Sequence, residues 1–344
     1  MIPYFVFALL LLLFSNNNKF WHMMLVIFVF SVIRYDVGWD YMNYYDIAKN
    51  PESDMDFMRF SFFWKGIILF ANSCNYPELA IIIPSILIYL FSFAGIYLSR
   101  KGDEEKITYS LLVYALWPYF YLSTFSTIRQ GLAIAICLLI YPLLKRRKIL
   151  WAILLFVFNI AVHPSSVVSL IMFPLILRNY HISMKGVFIS IGVGVFVLTI
   201  ASALLSFVGM YMNYLQGGAD FGKGLAVLLI MIGIALLWCM YIAQKQNVDI
   251  EYIGIVIISL FIEAAIYLLG LPSVMARVLS YFSILMIFVL FDAVCLIDYR
   301  LSRLVVIAMS LLFFWYLNHT TLADEGSSGY VPYKTIFVND ESKL

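Results

Sequence analysis

Arg34, Arg129 and Arg277 stand out, because each interrupts a chain that is otherwise apolar almost throughout. A guanidinium is planar, keeps its charge when partly desolvated, and presents a fork of N–H donors that fits phosphate or carboxylate oxygens in pairs. Arg34 opens the run Arg34-Tyr35-Asp36-Val37-Gly38-Trp39-Asp40-Tyr41. Arg129 follows Ser123-Thr124-Phe125-Ser126-Thr127-Ile128 and precedes Gln130. Arg277 closes Pro272-Ser273-Val274-Met275-Ala276, with Tyr281 one turn further along the same helix face. A fourth cluster, His163-Pro164-Ser165-Ser166, supplies an imidazole, which with a reference pKa near 6.5 can take a proton at neutral pH. Asp40 and Glu263 compete for that role, and a carboxylate inside an apolar helix is a functional candidate by default. Each has a plainer reading. An arginine at a helix end also serves as a snorkelling anchor, His163 before a proline also caps a turn, and Glu263 also serves as a strut to an arginine. Asp54-Met55-Asp56 has the spacing of a divalent-ion site, but in so acidic a loop the pattern is weak, and no metal or other cofactor is expected.

The elements that must position these residues are set by composition. Of 344 residues, 64% are hydrophobic and 12% charged, and mean hydropathy is +0.95, values outside the range of a water-soluble domain. A backbone in lipid must satisfy its own hydrogen bonds, and the apolar runs here are continuous instead of alternating, which excludes a barrel. The expected fold is all-α: one integral-membrane domain over 1–344, a polytopic transmembrane helix bundle of about 12 spans at roughly 20 residues each. The apolar runs extend from 2–18 and 20–33 through 107–124, 165–177 and 278–297 to 304–319. The N-terminal run lacks a basic flank and a small-residue cleavage site, and so reads as a retained helix. A further stretch, 61–72, carries Lys65 at its middle and is read as re-entrant or interfacial. A net charge of +2 selects no nucleic-acid partner. Cys74, Cys137, Cys239 and Cys295 lack metal-like or paired spacing and read as small buried side chains.

Lysines and arginines orient the bundle. Lys145-Arg146-Arg147-Lys148 marks a cytoplasmic turn, and alternation from it places Lys19, Arg100, Lys101, Lys106, Arg178, Lys185, Lys245, Arg300 and Arg303 on the same side. Both termini then lie outside, as do the long polar segments 34–60, 209–223 and the tail 320–344. The three arginines and His163 share that face. Soluble activated donors are absent outside, so a substrate for chemistry there arrives already carried across on a lipid. Tyr41, Tyr44, Tyr45 and Trp117 read as an aromatic belt, and aromatic rings at that level also stack on sugars. Gly217, Gly218, Gly222 and Gly224 give the second loop freedom to move.

Five short motifs, in order along nearly the whole chain, resemble the EpsG family, which belongs with the Wzy-type polymerases of O-antigen, capsule and exopolysaccharide. They are R-x-x-x-G-x-D-Y (Arg34, Gly38, Asp40, Tyr41), I-R-Q-G-L-A (Ile128 to Ala133), H-P-S-S, A-R-V-L-S-Y (Ala276 to Tyr281) and V-P-Y-K (Val331 to Lys334). The resemblance implies a GT-C-like, metal-independent glycosyltransferase in a bacterial inner membrane. Such an enzyme moves a growing glycan from undecaprenyl diphosphate onto the non-reducing end of a lipid-linked repeat unit, with the flippase Wzx and the chain-length regulator Wzz as associates. In that reading Arg34, Arg129 and Arg277 hold diphosphate, while Asp36, Tyr41, Gln130 and Tyr281 bind glycan. His163, Asp40 or Glu263 takes the proton. An O-antigen ligase would use nearly the same chemistry. A flippase or transporter is the other alternative, although the chain lacks the internal repeat and the polar path through both leaflets expected of one.

Overall fold

Continuous apolar sequence has one economical conformation in lipid, and 79% of the chain is helical. The structure, a computed structural model, describes residues 1–51, 55–208, 219–271, 273–323 and 329–337. The chain divides into two units, Met1–Val167 with Arg303–Leu344, and Val168–Ser302.

In the first unit, α1 (Ile2–Ser15) turns back through Asn16–Lys19 into α2 (Phe20–Val32), which leads to the two-residue strand β1 (Arg34–Tyr35). Three short helices follow, α3 (Tyr41–Lys49), α4 (Met55–Arg59) and α5 (Phe62–Ser73). The long α6 (Leu79–Arg100) packs on α2 and, most extensively, on α9 (Ile128–Lys145). Between them lie α7 (Glu104–Leu116) and the single turn α8 (Ser123–Ser126), and α10 (Ile149–Val162) packs against α9. α7 is buried from Ile107 to Leu116, so it runs through the middle of the unit. Its N-terminus is capped by the Asp103 carboxylate, which accepts from the Lys106 N–H at 3.0 Å.

The α6–α9 seam is close because Gly95 has no side chain. A Cβ there would lie 2.5 Å from the Leu138 carbonyl oxygen. Across the next seam, Asn159 of α10 is buried and donates to the Ala133 carbonyl at 3.0 Å and the Cys137 sulfur at 3.1 Å on α9. Interhelical bonds of this kind hold helices together where lipid removes the hydrophobic drive between them.

A 3-10 segment (Pro164–Ile171) leads from the first unit into α11 (Met172–Leu177) of the second, followed by α12 (Met184–Val208), α13 (Ala219–Gln246) and α14 (Ile253–Leu268). α13 and α12 both pack on α14. Gly233 and Gly194 admit Phe261 and Ile262 of α14 to where their Cβ atoms would be. α15 (Ser273–Ser283) and α16 (Met286–Ile297) complete this unit. The chain then returns to the first unit through α17 (Leu301–Ala323) and ends its described course in β2 (Lys334–Thr335), antiparallel to β1.

Among the described residues, four helical stretches are long and apolar enough to cross a membrane: Leu79–Arg100, Ile128–Lys145, Lys223–Gln246 and Leu301–His319. Counting a bent pair makes five, and six shorter apolar helices accompany them. At about 1.5 Å per residue, the 14-residue α1 reaches roughly 21 Å, short of a hydrocarbon core of about 30 Å. Exposed apolar faces on α10 (Leu150, Trp151, Leu154, Val157), α12 (Phe188, Val193, Phe196) and α17 (Leu304, Ile307, Leu311) suit a lipid environment.

Three expected runs depart from single helices. The run 107–124 stops at Leu116, because Pro118 pushes Trp117 into an extended conformation (φ −78°, ψ 113°). The run 165–177 begins as the 3-10 segment and only becomes α-helical at Met172. The run 278–297 bends by 55° between Ser283 and Met286, where Leu285 N–H bonds Phe282 O and Ile287 N–H bonds Ile284 O, three-residue bonds that tighten the helix. Of the cysteines, Cys137 and Cys239 are buried, whereas Cys74 is exposed at the end of α5.

Candidate functional site

One end of the first unit collects the start of α1, the end of α2, the starts of α6 and α9, the end of α10 and the tail. Tyr4 Oη donates to Tyr330 O at 2.6 Å, Tyr333 Oη donates to Phe30 O, and Trp64 Nε1 donates to Val162 O at 2.9 Å. The tail forms a strap along 33–38. Besides the β1–β2 pairing, Gly38 N–H bonds Gly329 O at 3.2 Å, Ile336 N–H bonds Ile33 O at 2.9 Å, and Lys334 Nζ lies 2.6 Å from Asp36 Oδ2. The turn beneath the strap needs Asp36 at φ 49° and Gly38 at φ 98°. A Cβ on Gly38 would sit 2.3 Å from the Phe125 carbonyl oxygen, so only glycine lets this loop lie on α8.

Arg34 is 1% exposed. Its Nη1 donates to Ser31 O at 2.6 Å, Ser31 Oγ at 3.2 Å and Ser85 Oγ at 2.9 Å, and the guanidinium lies 4.3 Å from the Phe125 ring centroid. The other edge of the group is unsatisfied. Nε and Nη2 are buried without a hydrogen-bond acceptor, and among the described residues no carboxylate pairs with them. Burial pulls this guanidinium below its ordinary pKa, while the phenols of Tyr121, Tyr41 and Tyr333 act to raise it. The Tyr41 hydroxyl is also buried without a partner. A buried cation with two orphaned donors is costly, and an anion is what would relieve it.

Arg129, half-buried at the start of α9, lies in a second cluster of aromatic side chains. Its guanidinium lies 4.8 Å from the Phe60 ring centroid and bonds the Tyr44 phenol. Tyr44 stacks on Phe60 (5.7 Å, 7°) and packs on Trp64. Tyr41 and Tyr44 lie three residues apart on the buried face of α3, with Asn43, Asp46 and Lys49 on the exposed one. One tyrosine therefore faces each arginine. Asn72 of α5 fixes the C-terminus of α3, donating to Ala48 O at 2.9 Å and Lys49 O at 3.1 Å.

His163 ends α10 in an extended conformation, with Nδ1 2.7 Å from Ser165 Oγ. Burial, and then the charge of Arg129, lower its pKa to about 4. The imidazole is therefore neutral at neutral pH, and it belongs with Arg129.

Asp36 is turned to the strap through Oδ2, and its Oδ1 is buried without a partner. Asp40 is half-buried at the head of α3, and Gln130 is 8% exposed beside Arg129 in sequence. Glu263, Arg277 and Tyr281 belong to the second unit. There Glu263 is half-buried on α14, and α15 carries Arg277 exposed and Tyr281 buried. Asp54, Pro272 and residues 209–218, with Gly217 and Gly218, lie outside the described residues, as do the side chains of Asp56 and of residues 219–222.

A model of the EpsG family matches residues 4–335. The chain belongs to the EpsG family. This is a Wzy-like polymerase family, and the match covers all the residues just described except Ile336. No curated protein and no solved structure matches the chain.

Several residues of this EpsG site escaped sequence reasoning. Ser31 stands one helical turn before Arg34, a spacing that could have flagged it. Ser85 binds the same Nη1 from 51 positions away, and nothing in the sequence points to it. Tyr41, Tyr44 and Trp117 are buried inside the protein instead of lying in a lipid-facing belt.

Proposed function

We propose that this EpsG-family protein extends a polysaccharide by glycosyl transfer between undecaprenyl-diphosphate-linked chains at the outer face of a bacterial inner membrane. The observation that carries the reading is the unpartnered Nε–Nη2 edge of buried Arg34, the side-on fork that grips two oxygens of a phosphate. The Tyr41 hydroxyl, buried without a partner, is a further donor for that oxyanion.

In the transfer, an acceptor sugar hydroxyl attacks the anomeric carbon of the donor. The bond from that carbon to the diphosphate oxygen breaks, and its electron pair leaves with the diphosphate. Arg34 and Arg129 stabilise the charge that builds there, and Arg277 of the second unit is a further candidate for diphosphate binding that substitution tests. The hydroxyl proton goes to Nε2 of His163, whose Nδ1 faces Ser165. A base with a pKa of about 4 is weak, yet one of the two causes of that value is Arg129. A diphosphate bound to Arg129 offsets this charge, so His163 gains basicity when substrate is in place. Asp40 is its competitor in the first unit, where Asp36 and Gln130 are the candidates for glycan binding; Glu263 and Tyr281 are the corresponding candidates of the second unit. The arginines alone balance the diphosphate, and no metal ion is needed. About twelve crossings in one GT-C-like membrane domain, an outward active face, and association with Wzx and Wzz complete the proposal. The shorter apolar helices would cross where the bilayer thins around them.

The test is replacement of Arg34, Arg129 or Arg277 by alanine. Each change should cut chain extension on the order of 10²–10³-fold and leave lipid-linked single repeats to accumulate. Arg34→Met serves as the stability control: it should be as inactive as Arg34→Ala yet melt no lower than wild type, because it removes an uncompensated buried charge. Normal polymer from all three alanine variants would overturn the proposal.

A further inference from the structure

Within the buried, tyrosine-rich end of the first unit, Trp39 is exposed. It is 40% exposed, whereas Val37 and Tyr41 on either side are 0% exposed. Its position is held from several directions. The Gly38 turn that delivers it rests on the Phe125 carbonyl, and the Trp39 N–H donates to Ser126 Oγ at 3.3 Å. The indole meets Tyr330 edge to face, with centroids 5.0 Å apart at 67°. Tyr330 is itself buried, fixed by Tyr4 through its carbonyl and by Ser126 Oγ, which donates to its hydroxyl at 3.0 Å. An exposed indole on so rigid a mount loses little entropy when something stacks on it. The next residue is the half-buried carboxylate of Asp40.

We infer that Trp39 and Asp40 form a sugar-binding platform, with a pyranose ring of the glycan stacked on the indole face and its hydroxyls donating to the Asp40 carboxylate. This rests on the proposed transferase reading and deepens it by assigning a subsite. The chemistry favours a neutral sugar over a lipid phosphate. The C–H face of a pyranose is apolar and its rim carries hydroxyl donors, which an indole beside a carboxylate matches. An anionic headgroup at the same place would be repelled by Asp40.

The test uses full-length protein in detergent and two probes: the repeat-unit oligosaccharide released by mild acid from the producing cells' own lipid-linked pool, and undecaprenyl diphosphate without sugar. Trp39→Ala should weaken oligosaccharide binding roughly tenfold or more and leave undecaprenyl diphosphate binding unchanged. Trp39→Phe should restore most of the loss, and Asp40→Asn should weaken the oligosaccharide alone. Wild-type oligosaccharide affinity in Trp39→Ala would overturn the inference. So would equal loss of both probes in Trp39→Ala and Trp39→Phe, which would make the residue a structural anchor. Chain extension by the Arg34→Ala variant tests the transferase reading separately. If the alanine variants of Arg34, Arg129 and Arg277 all still extend chains normally while Trp39→Ala loses oligosaccharide, the platform stands and the arginine mechanism falls.

Discussion

At the scale of single residues, two arginines of the same type lie in different physical situations. Arg34 is sealed in with one edge satisfied by serines and the other empty, whereas Arg129 is reachable and stacked on an aromatic ring. The neutral state of His163 follows from its surroundings and has a measurable consequence. Its pKa falls from its usual value of 6.5 to about 4, so the unfolded chain binds the extra proton first as pH drops. The contribution of neutral His163 to stability is therefore complete above pH 6.5 and is lost as pH falls from there toward about 4. We expect the melting temperature in detergent to decline across that window, and His163→Gln to flatten the decline. In Arg129→Ala, one cause of the low value is gone, so the decline should be complete at a higher pH than in wild type. An unchanged profile in both variants would show that His163 does not titrate there. The spacing of Arg34, Arg129 and His163 within their motifs was legible in the sequence; which of them is solvated, and that Arg129 sets the charge of His163, was not.

At the scale of elements, the site depends on short pieces held by long ones. α3 carries Tyr41 and Tyr44 to the two arginines only because α5 anchors its end and the Gly38 turn sets its start. The long helices keep this end in register through close seams, and Gly95 is the sharpest of them. Gly95→Leu would drive a side chain into the Leu138 backbone, where a Cβ alone would be 2.5 Å from the carbonyl oxygen. Separating α6 from α9 moves Ser85 relative to Arg129, so this variant should lose on the order of 2–4 kcal/mol of stability and most of its transferase activity. Gly102→Leu, at a position with nothing within 4 Å of the would-be Cβ, probes the same size change where no seam exists and should disturb activity far less, although its φ of 98° carries strain of its own. Equal effects at both positions would contradict the seam argument. Hydropathy located the long helices, but it overran three helix ends. An apolar stretch does not reveal whether Pro118 or a tightened turn will stop the helix inside it.

At the scale of the whole molecule, the exposed apolar faces and the long apolar helices make this a membrane protein of the EpsG family. The orientation proposed for it predicts where a thiol reagent can reach. Cys74 is exposed between α5 and α6, next to the end that carries Arg34 and His163, so a membrane-impermeant maleimide should label it on intact spheroplasts. Cys137 is buried and should stay unlabelled until the protein is denatured. Labelling of Cys74 only after the membrane is permeabilised would put the site on the other face. Composition alone determined the helical membrane class, since a chain this apolar must bond its backbone internally. The order of motifs determined the family, and residue type determined that guanidinium, imidazole and carboxylate chemistry was available at Arg34, His163 and Asp40. Only the tertiary structure decided that the tail straps the Arg34 loop, that Ser85 takes one edge of the guanidinium while the other stays empty, and that Trp39 alone of its run faces outward. Those facts depend on contacts between positions 50 to more than 300 residues apart. Local periodicity carries no information at such separations.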